Sequence, residues 1–427
     1  MEIAQILKTR PQQVSLRGWV YRHRVLGEDK VFLVIRDPTG IIQAVVKKDA
    51  VTPKVWETAA SAYVESSVKL SGELKEDARA PGGAEIKVKE MEFISRGQPF
   101  PISKDFSEEF LLDVRHLWLR SRKMTAILKI RSAVFNYFRE YLNNQGFYEV
   151  HAPTFTVSGC EGGSTLFEVP YFGKKAYLTQ SAQLYLESMI YSLGRVYSLA
   201  PSFRAEKSKT PRHLTEFWHL EPEAAFMDFE ANIKLQEGLI EYAVQRLAKE
   251  HADELRFLGR DPAELEKIKA PFPRMDYERA VEMVNELGGK MEYGEDFGAD
   301  EEALISKEFD KPLVVHHYPK KVKAFYMRED PQKPGTVLNN DMLAPEGNGE
   351  IIGGSERIWD LDELLQRMRE EGLREEDYNW YIDLRRYGSV PHSGFGLGVE
   401  RFLRWVLKLR TVRDAIPYPR TPTRLKP

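Results

Sequence analysis

The stretch SFRAEKSKTPRHLTEFWHLEPEAAF, residues 202–226, gathers charges that could act on a ligand. Arg204 and Glu206 are two residues apart, so on a strand their side chains leave the same face. The basic loop KSKTPRH then turns the chain back into TEFWHLEPEAAF, a second strand whose alternate residues again face one way. One arginine and several carboxylates thus converge on one face of a hairpin. Structural ion pairs account for a couple of these charges, but scarcely for so many on a β face beside Phe and Trp. A second candidate is Arg401 in GFGLGVER, residues 394–401, because the planar fork of an arginine suits phosphate oxygens. Alone, it reads equally well as a structural arginine. Neither GxxxxGK[ST] nor a GxGxxG at the head of a βαβ unit is present. Cys160 sits beside Glu161 in GCEGGSTLF without a base partner in the pattern, which argues against a nucleophile.

These residues need elements to hold them. The chain has 427 residues, 42% of them apolar, enough for two or three domains with real cores. No apolar run of 18 or more residues occurs, so no membrane span is expected. The N-terminus MEIAQILKTRPQQ lacks the order of a signal peptide. A single cysteine allows no internal disulfide and fits a reducing cytoplasm. The net charge of −3 excludes a generic polyanion binder. Residues 1–50 nevertheless carry nine Lys/Arg against five Asp/Glu, either a local phosphate-binding face or a solvated basic surface.

The first hundred residues read as β structure. VSLRGWVYRHRV alternates, KVFLVIRD reads as a buried run, and PTG turns into IIQAVVKKD. The helix-like TPKVWETAASAY then precedes SSVKLSGELKED and AEIKVKEMEFIS. Five strands with a helix after the third predict an OB-fold barrel over residues 1–97. Phe32 and Gln43 would offer a stacking ring and a base-edge amide on one barrel face, although Phe32 alone reads as core. Pro99 and Pro101 mark a hinge over residues 98–124. Helical spacing follows at 125–142, and the remainder to 427 mixes hairpins with helices at 183–191, 229–250, 276–287, 361–371 and 399–409. An α+β domain with an antiparallel sheet flanked by helices is expected there. The charge-rich segment 229–270 reads as a solvated face.

The chain resembles the class II aminoacyl-tRNA synthetases of the aspartyl/asparaginyl/lysyl subgroup from about residue 14 to its end. GFYEVHAP (146–153) resembles the first motif of that class, FRAE…RHLTEF the second and GFGLGVER the third. The resemblance implies a homodimer that uses ATP and Mg²⁺. Arg204 would bind the α-phosphate and the amino-acid carboxylate, Glu206 the adenine amino group, Phe217 the adenine ring and His213 the distal phosphates. Arg401 would hold the γ-phosphate. Asp341 and Glu350, in NNDMLAPEGNGEIIGGSER, would hold the metal through hard oxygens. A related pattern has Ser where Gly353 stands, which puts that position's metal contact in doubt. Glu161, Ser181 and Gln183 would surround the substrate α-amino group. Phe32 and Gln43 match positions that stack on and read an anticodon.

Aspartate and asparagine are nearly isosteric, so charge must separate them. Aspartyl relatives read Gln-Ser-Pro-Gln-Leu-(Tyr/Phe)-Lys where this chain has QSAQLYL; Ala182 replaces the proline and Leu186 the lysine that would pair with a substrate carboxylate. In LEPE, Glu221 stands where aspartyl enzymes carry Asp, long enough to accept from an amide and to repel a carboxylate. Arg357 would donate to the side-chain oxygen that both substrates possess. Together these imply L-asparagine and tRNA(Asn) as substrates. An aspartyl enzyme, an adenylate-forming asparagine synthetase and an RNA-binding protein on an inactive scaffold are the alternatives. The barrel residues speak against the second, and the retained Arg204, Glu206, Asp341, Glu350 and Arg401 against the third.

Overall fold

Val31, Leu33 and Ile35 are fully buried, and Phe32, Val34 and Arg36 alternate with them on the opposite face. The run KVFLVIRD is therefore half-buried rather than buried on both faces. This alternation recurs in the first unit, Met1–Asp113. Its strands are β1 (Gln13–Leu26), β2 (Lys30–Asp37), β3 (Gly40–Lys47), β4 (Ser67–Glu76) and β5 (Ala84–Ser95). They close a barrel in the order β1-β2-β3-β5-β4, with the helix Pro53–Ala60 after β3. Thr52 caps that helix by accepting from the Val55 N–H, and Pro53 begins it with a preset φ. The computed structural model describes all residues except 103–105, 158, 161–164 and 208–209.

Register fixes the outer face of the barrel. Paired residues of neighbouring strands share a face, so Arg24, Phe32 and Val45 form one row, and Arg22, Val34 and Gln43 the next. Phe32 stands outside the core, and the Gln43 amide donates to Glu85 over 2.9 Å.

The second unit, Val114–Pro427, is built on an eight-stranded sheet. Its strands are β6 (Tyr148–Glu149), β10 (Arg195–Phe203), β11 (Glu216–Ala225), β12 (Arg274–Asp276), β13 (Leu313–His316), β14 (Asn339–Ala344), β15 (Gly349–Glu356) and β16 (His392–Gly398). Between the first two in sequence, β7 (Phe155–Thr156), β8 (Glu168–Tyr171) and β9 (Lys174–Leu178) form a small separate sheet. The large sheet runs β12-β13-β14-β15-β16-β11-β10-β6. Its middle is antiparallel as expected, but each edge pair, β12 with β13 and β10 with β6, is parallel.

One face of this sheet is covered by the helices Arg122–Asn144, Phe229–Glu250 and Val399–Val406. On the first, Ile127, Ile130, Val134 and Phe138 follow helical spacing into the core, meeting Leu220, Ile352 and Leu397 from the strands. The helix Phe229–Glu250 corrects the expectation of a solvated face. Its charges hide a stripe of Ile233, Ile240, Val244 and Leu247, all at zero exposure. It also buries polar groups that reach the strands: Gln236 exchanges hydrogen bonds of 3.0 and 2.7 Å with Asn340, and Asn232 donates to the Gly394 carbonyl. The other face of the sheet carries the charged residues.

Candidate active site

Along β11, Phe217, His219, Glu221 and Glu223 point away from the helices, while Leu220 between them points into the core. Three strands complete the same face: Asp341 on β14, Glu350 and Gly353 on β15, and Gly394, Gly396 and Gly398 on β16. The glycines of GFGLG have a steric reason. A Cβ on Gly394 would lie 2.1 Å from Glu223 Oε2, and one on Gly396 2.5 Å from His219 Nε2. Bare backbone on β16 lets those two side chains lie across the neighbouring strand.

Two adjoining cavities open on this face. The first is lined by Arg204, Glu206, His213, Phe217 and Arg401. The second, of about 340 Å³, is lined by Ser181, Gln183, Leu186, Glu221, Asp341 and Arg357. Arg204 and Glu350 line both. The structure thus brings together every expected site residue of this unit that it describes; Glu161 lies outside the described residues. Arg204 and Glu206 lie just beyond the end of β10 rather than within it, although the Arg204 N–H still donates to Thr215 across the hairpin. The guanidinium of Arg204 stands 5.3 Å from the Phe217 ring centroid.

The first cavity gathers three guanidiniums, Arg204, Arg212 and Arg401, among the carboxylates Glu206, Glu350 and Glu400. Arg401 opens the helix Val399–Val406 and reaches back to Glu350 over 2.8 Å, while its neighbour Glu400 turns inward to Arg131 at 2.7 Å. Burial works against the Glu350 charge, but Arg401, Lys323, Arg212 and Arg204 outweigh it and hold its carboxyl near about 2. His213 is pushed below the ordinary imidazole range by burial and then by Arg401. Its Nε2 faces Glu206 at 3.8 Å. Pro211 lends its carbonyl to the Val412 N–H at 3.0 Å and so ties this loop to the chain's last segment.

The second cavity is more acidic. Glu221 is fixed at its wall: Ser181 Oγ donates to Oε1, and the Ala182 N–H donates to Oε2 over 2.9 Å. Ser181, expected beside an α-amino group, therefore also sets the rotamer of Glu221. Arg357 is fixed by Glu223, which accepts from Nε at 3.2 Å and from Nη2 at 2.9 Å. Burial disfavours the Arg357 charge, but Glu223 overrides it and keeps the guanidinium protonated. Gln183 turns its amide nitrogen to Glu187 at 3.0 Å. Glu187, at zero exposure, also binds Arg385 at 2.6 Å, Tyr381 at 2.7 Å and His392 at 3.0 Å. Leu186 lines the cavity without charge.

Several participants come from segments that sequence reasoning passed over. Lys323 places its ammonium 2.8 Å from Asp341 and 3.2 Å from Asp296. Arg212 pairs with Glu302 on the helix Ala299–Ser306, and Glu302 accepts from the Glu350 N–H at 2.7 Å. Lys323 lies in PKKVKAFYM, where nothing in the pattern separates it from its two neighbouring lysines. Cys160 packs with Leu184, Phe325 and Tyr378 in an apolar cluster.

Asp341 and Glu350 fit a divalent cation on the geometry around Gly353. A Cβ there would stand 3.2 Å from Glu350 Oε1 and 3.5 Å from Asp341 Oδ1, so both oxygens border the space that the missing side chain leaves. Burial, with Glu350 and Asp296 nearby, raises the Asp341 carboxyl to about 7 despite Lys323, a surplus of negative charge that a cation would relieve.

Comparison with known proteins matches this geometry. The family model for tRNA synthetases class II (D, K and N) matches residues 107–422, and that for the OB-fold nucleic acid binding domain matches residues 14–94. The chain is 53% identical to the asparagine–tRNA ligase of Thermoplasma acidophilum, over 97% of this chain and 96% of that one. It is 52% identical to the enzyme of the same name from Thermococcus kodakarensis, with the same coverage. The asparaginyl-tRNA synthetase of Pyrococcus horikoshii complexed with asparaginyl-adenylate superposes with a TM-score of 0.97 at 50% identity, covering 100% of this chain and 99% of that one. The chain belongs to the class II tRNA synthetases of the D, K and N family.

Proposed function

We propose that the chain joins L-asparagine to ATP as asparaginyl-adenylate, releasing pyrophosphate, and passes the asparaginyl group to tRNA(Asn), releasing AMP. The observation that carries this reading is the charge balance around the second cavity. Its walls carry Glu221, Glu223, Asp296, Glu302, Asp341 and Glu350 against Arg204, Lys323 and Arg357, and Glu223 already engages Arg357 through two hydrogen bonds. A substrate carboxylate would meet net negative charge there. A side-chain amide instead offers N–H donors to Glu221 and an oxygen to Arg357.

In this reading the first cavity takes ATP, with adenine on Phe217 and Glu206 and the phosphates toward His213 and Arg401. Arg204, shared by both cavities, holds the α-phosphate and the amino-acid carboxylate side by side. Gln183 and Glu161 receive the α-ammonium. Asp341 and Glu350 hold Mg²⁺, which when bound neutralises phosphate oxygens. The substrate carboxylate is already a nucleophile and attacks the α-phosphorus in line, so no base is required. Arg204 and Arg401 stabilise the charge that develops as the pyrophosphate bond breaks. The 3′-terminal ribose hydroxyl then attacks the mixed anhydride. Phe32 and Gln43, flanked by Arg22 and Arg24 on the outer face of the barrel, read the anticodon.

We extend the reading to a homodimer in the cytoplasm. Tyr171 packs against both Phe155 and Phe172 in an exposed aromatic patch by the small sheet, with Phe172 92% exposed, a surface suited to a second copy. The lone cysteine fits a reducing compartment, and among the described residues no helix is long and apolar enough to cross a membrane. Incubation with ATP, labelled asparagine and a tRNA(Asn) transcript tests the function. Acid-precipitable asparagine and one AMP per charged tRNA are expected; failure to charge that transcript would overturn it.

A further inference from the structure

A cluster of metal-binding donors lies outside both cavities, at the end of β13. His316 is the last residue of that strand and His317 follows it. In an extended chain their rings would leave opposite faces. His317 instead has φ of 59°, in the left-handed region, and its ring lies beside that of His316, with Nδ1 atoms 2.6 Å apart. Asp276, in register with His316 across the parallel pair β12 and β13, brings Oδ1 to 3.3 Å from His316 Nδ1 and 3.7 Å from His317 Nδ1. Behind the cluster, His317 Nε2 faces Asp330 Oδ2 at 3.2 Å, and Asp330 Oδ1 accepts from the Gln332 N–H at 2.8 Å. A carboxylate behind an imidazole keeps the proton on the far nitrogen and aims the near lone pair at a metal.

We propose that Asp276, His316 and His317 bind a borderline divalent cation of the zinc, cobalt or nickel class, with Asp330 orienting His317. Two imidazoles and one carboxylate suit such ions, whereas the paired carboxylates Asp341 and Glu350 suit a hard ion. Donor bonds of about 2.0–2.1 Å in a tetrahedron place neighbouring donors about 3.3 Å apart. The Asp276–His316 separation of 3.3 Å already matches, and the Asp276–His317 separation of 3.7 Å is close. The two rings must part by about 0.7 Å, a small rotation for side chains that are only partly buried. Before binding, the 2.6 Å approach is a hydrogen bond from the His316 Nδ1–H to the His317 Nδ1, so metal uptake requires the His316 proton to move to Nε2. Asp276 is half-exposed and leaves the fourth position to solvent. Lys333, 3.8 Å from Asp276 Oδ1, competes for that carboxylate, while Arg274 is engaged by Glu230 at 2.6 Å.

The test is a Co²⁺ titration of the full chain under saturating Mg²⁺, which occupies Asp341 and Glu350, read by visible d–d absorption. One site per chain is expected, displaced by Zn²⁺. His316→Gln and His317→Gln should each weaken it at least about 100-fold, and Asp330→Asn about 10- to 100-fold. Lys333→Gln should tighten it, an effect that damage to the fold would not produce. Asp341→Asn should leave it unchanged. The proposal is overturned if the wild-type chain shows no saturable tetrahedral signal, if the two histidine variants bind Co²⁺ as the wild type does, or if Asp341→Asn abolishes the signal.

Discussion

Replacing Glu221 by glutamine removes one negative charge from the wall of the second cavity and changes almost nothing in volume. Two like charges about 4 Å apart at an effective dielectric of about 20 repel by roughly 4 kcal/mol, about three powers of ten in selection. The loss for asparagine is smaller, because a hydrogen bond to a charged acceptor is worth roughly 1.5–3 kcal/mol. Glu221 accepts from both Ser181 Oγ and the Ala182 N–H, so glutamine also leaves one of those donors facing an NH₂ group. Some melting temperature should therefore be lost, and a thermal scan separates that effect from selectivity. The readout is kcat/KM for asparagine and for aspartate in ATP–pyrophosphate exchange. The ratio should fall by about 100- to 1000-fold, mostly through a gain for aspartate. A ratio within about threefold of the wild type, in a variant still folded at the assay temperature, would refute the role given to Glu221.

Lys323→Met should destabilise the chain by roughly 1–3 kcal/mol in urea, increasingly as pH rises above 7, because Asp341, already raised to about 7 beside its ammonium, must then take up a proton or bear an unpaired buried charge. Adding Asp341→Asn should recover most of that loss, and additive losses in the double variant would contradict the coupling. Phe32→Ala should raise the KM for tRNA about 5- to 150-fold, the worth of one stacked base, while leaving tRNA-independent pyrophosphate exchange unchanged. Gln43→Ala should act in the same direction, and a fall in exchange for either variant would contradict an anticodon role. Burial opposes the Glu187 charge, but Arg385 and then His392 outweigh it and hold its carboxyl well below the ordinary 4.5. Its stabilisation is therefore present above pH 4.5 and is lost as pH falls toward the lowered folded value. Glu187→Gln should melt below the wild type at neutral pH, with the gap narrowing on acidification below pH 4.5; a gap independent of pH would contradict the ion pairing.

Much of this site can be read along the chain wherever it obeys a period. The alternation of Phe217, Glu221 and Glu223 in FWHLEPE puts them on one face, and β11 holds them there. The helix Phe229–Glu250 has the bounds its spacing predicts, yet its composition misleads about burial. Counting charges does not reveal that an apolar stripe along it faces a sheet. For Phe32, period 2 pairs it with Val34 but cannot say which face of the barrel turns inward; the closure of β1 on β4 decides that. Lys323 and Glu302 were out of reach for another reason. Each meets its partner across the fold, Lys323 at Asp341 and Glu302 at Arg212, and no local pattern encodes such a pairing. The same holds for His316 and His317, where the left-handed backbone at His317, rather than the residue pair itself, brings two donors together.

The central claim is that a net negative pocket, with Leu186 where a cation would be needed, selects an amide over a carboxylate. Pyrophosphate exchange by the unaltered chain, with asparagine and aspartate each as sole amino acid, tests it most directly. Exchange should depend on asparagine, with kcat/KM for aspartate lower by about three powers of ten. Equal or faster exchange with aspartate would contradict the account.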